Sequence, residues 1–168
     1  MSISMHSASA PIFVRMLGNV LNWLDKAQAH AEARRFDPAN YLTARLAPDM
    51  LPFTRQVQIA SDAAKGCMAR LAGVEVPKWE DNEAGFDELR ARLRRTIDYV
   101  KSFSAAQIDG SESRNIVIPM RDAEALNLDG ETFLKHFALP NFFFHCTATY
   151  MLLRHNGVDV GKGDYLGH

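Results

Sequence analysis

Apolar residues recur at three- and four-residue steps in four long segments of the chain, and this spacing predicts four amphipathic helices. In the second segment, for example, Phe53, Val57, Ala60 and Ala64 share one face. Pro140 suits the first turn of the fourth helix and Gly157 lies just past its end, as start and stop signals should. The predicted helices span roughly residues 11–35, 48–71, 82–103 and 140–157.

The pattern changes between the third and fourth helices. Residues 114–120 and 125–130 form two short, strand-like runs separated by RDAE at 121–124, which predicts a small β-hairpin. A short helical piece over residues 131–138 follows. We therefore predict an all-α fold: one domain over residues 1–168, a four-helix bundle with a β-hairpin insertion between helices 3 and 4. The long third connection indicates that those two helices need not be sequential antiparallel neighbours.

Composition and charge exclude several classes of protein. The chain has 168 residues, 47% of them hydrophobic, and a net charge of −1, so it has no overall basic field for nucleic acid. No apolar run is long enough for a membrane span, and the N-terminal residues lack a secretory-signal pattern. We expect a cytoplasmic protein without nucleic-acid or membrane partners. Cys67 and Cys146 lie in apolar helical contexts without a pairing motif, which indicates buried free thiols.

Polar residues on the predicted inward faces are the candidates for a site. Asp49 and Gln56 fall on the inward face of the second helix, and Asn141 and His145 on that of the fourth. Other polar groups are expected to face outward. On the second helix, the residues expected to face solvent or a subunit contact are Arg55, Gln58, Asp62 and Lys65. On the third helix, a solvated face is expected to consist of Arg90, Arg92, Arg94 and Arg95.

His145 is the best candidate for a catalytic residue, as a general base or as the sole imidazole ligand of a weakly held divalent cation. His6 and Tyr150 are weaker additions to its site. Asn141 and His145 have the four-residue spacing of HxxxH metal pairs, but asparagine is a poor ligand for a transition metal. We therefore predict no metal site and no cofactor. The competing interpretation is a core histidine held by one buried hydrogen-bond acceptor.

Three long phrases resemble a bacterial and fungal family of unknown function, DUF1993, which is grouped with the DinB/YfiT-like superfamily. They are ARLAPDMLPFTRQVQIASDAAKG at 44–66, LPNFFFHCTATYMLLRHNGV at 139–158 and GKGDYLG at 161–167. The resemblance implies a DinB-like four-helix bundle that often forms dimers. Many superfamily members bind a divalent metal through three histidines, and some are metal-dependent transferases acting on low-molecular-weight thiols.

Carried over residue by residue, the resemblance implies that this metal site has been lost. Only His145 matches the histidine pair of the fourth helix, because Asn141 occupies the other position. Gln56 or Asp49 stands where the second helix would supply its histidine. We expect a homodimer with a polar pocket between helices 2 and 4 that binds a small molecule. Two alternatives stay open: a metal-dependent transferase or hydrolase acting on a small thiol or similar substrate, and a non-enzymatic dimeric bundle.

Overall fold

The computed structural model describes residues 3–120 and 123–168. It confirms the all-α bundle with a small hairpin insertion. The helices are α1 (Ala10–Arg34), α2 (Phe53–Ala72), α3 (Phe86–Lys101), α4 (Ala105–Ile108), α5 (Gly130–Thr132), α6 (Leu139–His155) and α7 (Lys162–Leu166), and the strands are β1 (Asn115–Ile118) and β2 (Leu126–Asp129). Within the described residues, no helix is long and apolar enough to cross a membrane.

The four long helices pack as a square in which α6 and α3 each contact both α1 and α2. Helices α3 and α6 therefore occupy opposite corners, an arrangement that the long connection between them allows. Large aromatic side chains fill the centre; Phe13 of α1 meets Phe142 of α6 edge to face, with ring centroids 4.8 Å apart. Both rings are fully buried, so they anchor one edge of the square.

The hairpin pairs β1 with β2 in antiparallel register, with Ile116 opposite Leu128 and Ile118 opposite Leu126. Both isoleucines of β1 are buried, because alternate strand residues face the bundle. Arg121 and Asp122 of the predicted turn lie outside the described residues.

Residues 130–155 form one continuous helical run that includes a π-helical segment over Phe133–Ala138. Asp129 caps its start by accepting a hydrogen bond from the Thr132 backbone N–H at 2.8 Å. Pro140 then lies in the first turn of α6, and Gly157 follows the helix with φ of 89°, a conformation that glycine adopts without strain. The glycine signal thus marks the end of α6, whereas Pro140 lies inside the continuous helical run rather than at its beginning.

The C-terminal helix α7 was not predicted, because it is only five residues long. It packs on α1, whose polar side chains bind its backbone. Asn19 donates to the Tyr165 carbonyl at 2.9 Å, and the Trp23 indole donates to the Asp164 carbonyl at 3.2 Å. Long-range hydrogen bonds therefore hold α7 where local periodicity gives no signal.

The predicted outward position of several polar residues is wrong. Arg92 lies buried between Glu83, Asp81 and Asp62 at 2.9, 2.9 and 3.0 Å, and Arg90 is buried against Asp25 at 2.9 Å. Arg94 and Arg95 are exposed, as predicted.

The same correction applies to the second helix. Gln58 donates to Glu83 at 2.7 Å, and the Lys65 ammonium lies 4.4 Å above the centre of the Trp79 ring. Both side chains are buried, because residues 74–84, hereafter the 74–84 segment, cover this face of α2 and α3. Helical periodicity identifies a face but not the loop that covers it.

Helix α2 begins at Phe53, five residues later than predicted. Pro52 explains the difference, because the residue before a proline is disfavoured in helical conformation. Leu51 therefore stays outside the helix, and so do the residues before it.

We predict that Arg92→Ala lowers the free energy of unfolding by about 3 kcal/mol, because it leaves the partly buried Glu83 carboxylate without its ion-pair partner. Arg94→Ala, an exposed position on the same helix, is the matched control and should stay within about 0.5 kcal/mol of the parent. Urea denaturation followed by circular dichroism measures both. Equal stability of the two variants would contradict a structural role for the buried ion pairs.

Candidate functional site

A hydrogen bond between α6 and α2 defines the centre of the candidate site. The His145 Nδ1 and the Gln56 Oε1 are 2.7 Å apart, and both side chains are buried. The other end of the Gln56 amide donates from Nε2 to the Leu51 carbonyl at 3.0 Å. The structure therefore brings together two of the four residues that the sequence selected, one from each helix.

This chain of hydrogen bonds determines the tautomer of neutral His145. A carbonyl oxygen only accepts, so the Gln56 NH₂ group must face Leu51 and its Oε1 must face the imidazole. Nδ1 of His145 therefore carries the proton and donates it to Gln56. In the neutral ring Nε2 is then the unprotonated nitrogen, which is the atom able to accept a hydrogen bond or a proton.

The surroundings of His145 favour that neutral form. Burial lowers the pKa of His145, and the positive charge of Arg55 lowers it further. Arg55 lies one residue before Gln56 on α2 and is held by Gln58 at 2.6 Å and by an ion pair with Asp81. His145 is therefore a neutral base near neutral pH, with 8% of its surface exposed.

A small cleft begins one helical turn from His145, at Asn141 of α6 and Ile59 of α2. Its volume is about 180 Å³, and it extends between the two helices beneath β1. Most of its walls are apolar. The lining residues are Ile59, Asp62, Ala63, Arg70, Ile118, Phe133, Phe137, Ala138 and Asn141.

The other candidates lie elsewhere. Asp49 is exposed in the loop before α2, because that helix begins only at Phe53. His6 lies at the opposite end of the sequence, where its Nε2 is 3.2 Å from the Phe103 carbonyl oxygen. Tyr150 donates to the Val160 carbonyl at 3.3 Å and contacts the Trp23 ring.

These residues do not fit the three-histidine metal site of the superfamily. His145 is the single imidazole at the site, and Gln56, in the position expected for a second ligand, instead uses its oxygen to hold Nδ1 of that ring. Within residues 3–120 and 123–168, no group of three or more His, Cys, Asp or Glu side chains is arranged to hold a metal. Amide oxygens are in any case weak ligands for transition metals.

Arg70 is the functional-site candidate that sequence reasoning missed. It lines the cleft from α2, and its guanidinium lies over Gly66, one turn earlier. The available signal was this four-residue spacing, since a long side chain on a helix points toward the helix N-terminus and needs space there. An arginine one turn after a glycine in a helix therefore indicates a guanidinium that can lie against the helix surface.

Comparison with known proteins agrees with this architecture. The structure of a DinB family member protein from Shewanella denitrificans is similar over 97% of this chain and 92% of that one, with 40% sequence identity and a TM-score of 0.89. The protein is thus a four-helix bundle of the DinB-like type. A search of curated proteins finds no match.

The family profile described as Domain of unknown function (DUF1993) matches residues 5–166. The chain belongs to this family, as its three long phrases indicate.

We predict that His145 makes the stability of the protein depend on pH. Because its pKa is lower in the folded than in the unfolded state, folding is favoured above the unfolded value of about 6.5. That contribution declines as pH falls from about 6.5 toward the folded pKa. His145→Asn keeps an N–H donor for Gln56 but has no titrating proton. The free energy of unfolding should therefore fall less for this variant between about pH 7.5 and about pH 5.5. If the free energy of unfolding changes with pH in the same way in the parent and in His145→Asn, the lowered pKa of His145 is contradicted.

Proposed function

We propose that the protein binds a small molecule between α2 and α6, in the mostly apolar cleft that begins at Asn141. In this proposal the Nε2 of His145, one helical turn from the cleft, accepts a hydrogen bond from a hydroxyl, thiol or amide group of the ligand. The observation that carries this proposal is the Gln56 hydrogen bond, which fixes the proton on Nδ1 and leaves Nε2 as the acceptor.

Two further features support a binding role. Burial and Arg55 both disfavour the imidazolium form, so Nε2 keeps its lone pair near neutral pH. Asn141 adds an amide one turn away on the same face of α6, where it lines the cleft. In this proposal Gln56 positions the ring, while His145 and Asn141 contact the ligand. The chemistry is that of an uncharged acceptor or base and needs no metal.

Nuclear magnetic resonance tests this proposal with a set of small fragments that carry hydroxyl, thiol or amide donors. We expect at least one fragment to shift the ring signals of His145 and the backbone signals of Asn141 in a saturable manner. His145→Asn removes Nε2 and should abolish the effect. His136→Asn, at an exposed position of the π-helical segment, is the matched control and should preserve it.

Two results would refute the pocket. One is a His145 ring that no fragment perturbs, and the other is binding that survives unchanged in His145→Asn. Either result would favour the non-enzymatic interpretation, in which the Gln56–His145 pair only fixes the register of α2 and α6.

We also propose that the protein forms a homodimer through the outer face of α6. Phe144 and Met151, 58% and 46% exposed, lie on one stripe of α6 with the exposed Thr147 between them. A two-fold dimer uses the same patch on both copies, and an apolar stripe along one helix is complementary to itself. Superfamily relatives often dimerise, which supports a second copy as the occupant of this face.

We predict that light scattering during size-exclusion chromatography gives twice the chain mass of 18.8 kDa. Met151→Asp places a charge on the proposed interface and should give the monomer mass. Val117→Asp adds the same charge at an exposed apolar position of β1 and should leave the dimer intact. A parent protein that elutes as a monomer at all concentrations would contradict the dimer.

We further propose that the protein acts in the cytoplasm and without nucleic acid, as its net charge of −1 suggests. Cys67 and Cys146 are both free and buried, and burial raises the pKa of each thiol. Unpaired cysteines of this kind are typical of proteins from a reducing compartment.

A further inference from the structure

The position of the Arg70 side chain depends on the absence of a Cβ atom at Gly66. From α2 the arginine runs back along the helix and lies over Gly66. A Cβ atom at position 66 would stand 2.5 Å from the Arg70 Nη1, closer than atoms approach without displacement. Glycine at position 66 therefore lets the guanidinium lie against the helix at the cleft wall.

Among the described residues that line the cleft, Asp62 is the one acidic side chain, and cations other than Arg70 neutralise it. Its Oδ1 pairs with the Lys65 ammonium at 2.7 Å and with the Arg92 guanidinium at 3.0 Å. Within the described residues, no carboxylate lies within ion-pair distance of Arg70. Burial lowers the pKa of Arg70, as expected for a guanidinium that has lost part of its hydration. The cleft therefore has a local positive charge at Arg70.

The remaining walls match a short apolar group. Ile59, Ile118, Phe133 and Phe137 line the cleft, and Asn141 supplies an amide at its other end. Its volume of about 180 Å³ is close to the ~150 Å³ of an apolar protein cavity that holds one benzene molecule. A molecule of about six non-hydrogen atoms fits this space, which is smaller than a cofactor or nucleotide site.

We propose that the cleft is the binding site of a short-chain monocarboxylate, whose carboxylate pairs with Arg70 and whose alkyl group lies among the apolar walls. Arginine binds carboxylates through two parallel hydrogen bonds, which suits a small anion. This inference rests on the proposed function, because it names the ligand class of the same α2–α6 pocket. Arg70 and the apolar walls determine the specificity, and Asn141, which lines the cleft, receives any donor group that the ligand carries.

Butyrate, which has six non-hydrogen atoms, is a suitable probe. The isotope-labelled full chain is titrated with sodium butyrate near neutral pH at constant ionic strength, and backbone signals of Ala63, Phe137 and Asn141 are followed. We expect saturable binding with a Kd of about 1 mM, as befits so small a ligand. Arg70→Met keeps the apolar stem but removes the charge and should weaken binding about tenfold or more. Arg94→Met removes an exposed charge and is the control.

Gly66→Ala separates the position of the guanidinium from its charge. Alanine is the better helix former, so the variant should fold at least as well as the parent. Its methyl group displaces the Arg70 guanidinium, and we expect butyrate binding to weaken severalfold although the arginine is still present. Unchanged binding in this variant would overturn the assigned position of Arg70.

Other outcomes overturn the proposal directly. They are no saturable binding of butyrate, equal binding by the Arg70→Met and Arg94→Met variants, and inorganic phosphate or butan-1-ol binding as tightly as butyrate. The test is independent of the fragment experiment at His145. If fragments shift the His145 ring while butyrate leaves the cleft signals unchanged, the pocket stands and the carboxylate assignment fails. If butyrate binds through Arg70 while His145 responds to nothing, the carboxylate site stands and the role of His145 fails.

Discussion

The antiparallel packing of α2 against α6 is the constraint on which the candidate site depends. It sets Gln56 opposite His145, and further along it sets Ala63 near Ala138 across the cleft. Both pairs follow from one register, so a shift of one helix along the other would break the buried hydrogen bond and also move Ala63 away from Ala138. The Gln56 amide also binds the Leu51 carbonyl, which ties the register to the loop that precedes α2. The candidate site is thus a consequence of the register in which α2 packs against α6.

A layer of charges beneath the 74–84 segment is coupled to this site through Arg55. That residue is held by Gln58 and Asp81, and its charge disfavours protonation of His145. Asp62 likewise belongs to both regions, because it lines the cleft while pairing with Arg92 and Lys65. The ion pairs therefore do more than hold a loop. They fix one positive charge near the imidazole and neutralise Asp62, whose carboxylate would otherwise repel an anion from the cleft.

The sequence predicts the parts of this structure that depend on short-range spacing. Apolar stripes define the four helices, and the same spacing selects Gln56 and His145 as inward-facing, because a buried stripe repeats with the helical period. It fails where a distant segment decides burial, as for Arg92. The prediction also fails for Asp49, which lies in the loop before α2 and not on the helix. Pro52 disfavours helical conformation at the residue before it, and the spacing of apolar residues does not reveal this effect. The sequence analysis did not select Arg70, because the position of its guanidinium depends on the absence of a Cβ atom at Gly66.

The π-helical segment explains why the cleft has a continuous wall. Phe133, Phe137 and Asn141 are spaced by four residues, and each four-residue step in an α-helix overshoots a full turn by about 40°. Two such steps would carry Phe133 well away from the face of Asn141. A π-helical turn contains more residues, so the step from Phe133 to Phe137 falls short of a turn and offsets the overshoot that follows. All three side chains therefore line the same cleft. Pro140, which has no N–H for the preceding turn, makes a wider turn just before α6 less costly than in an ordinary helix.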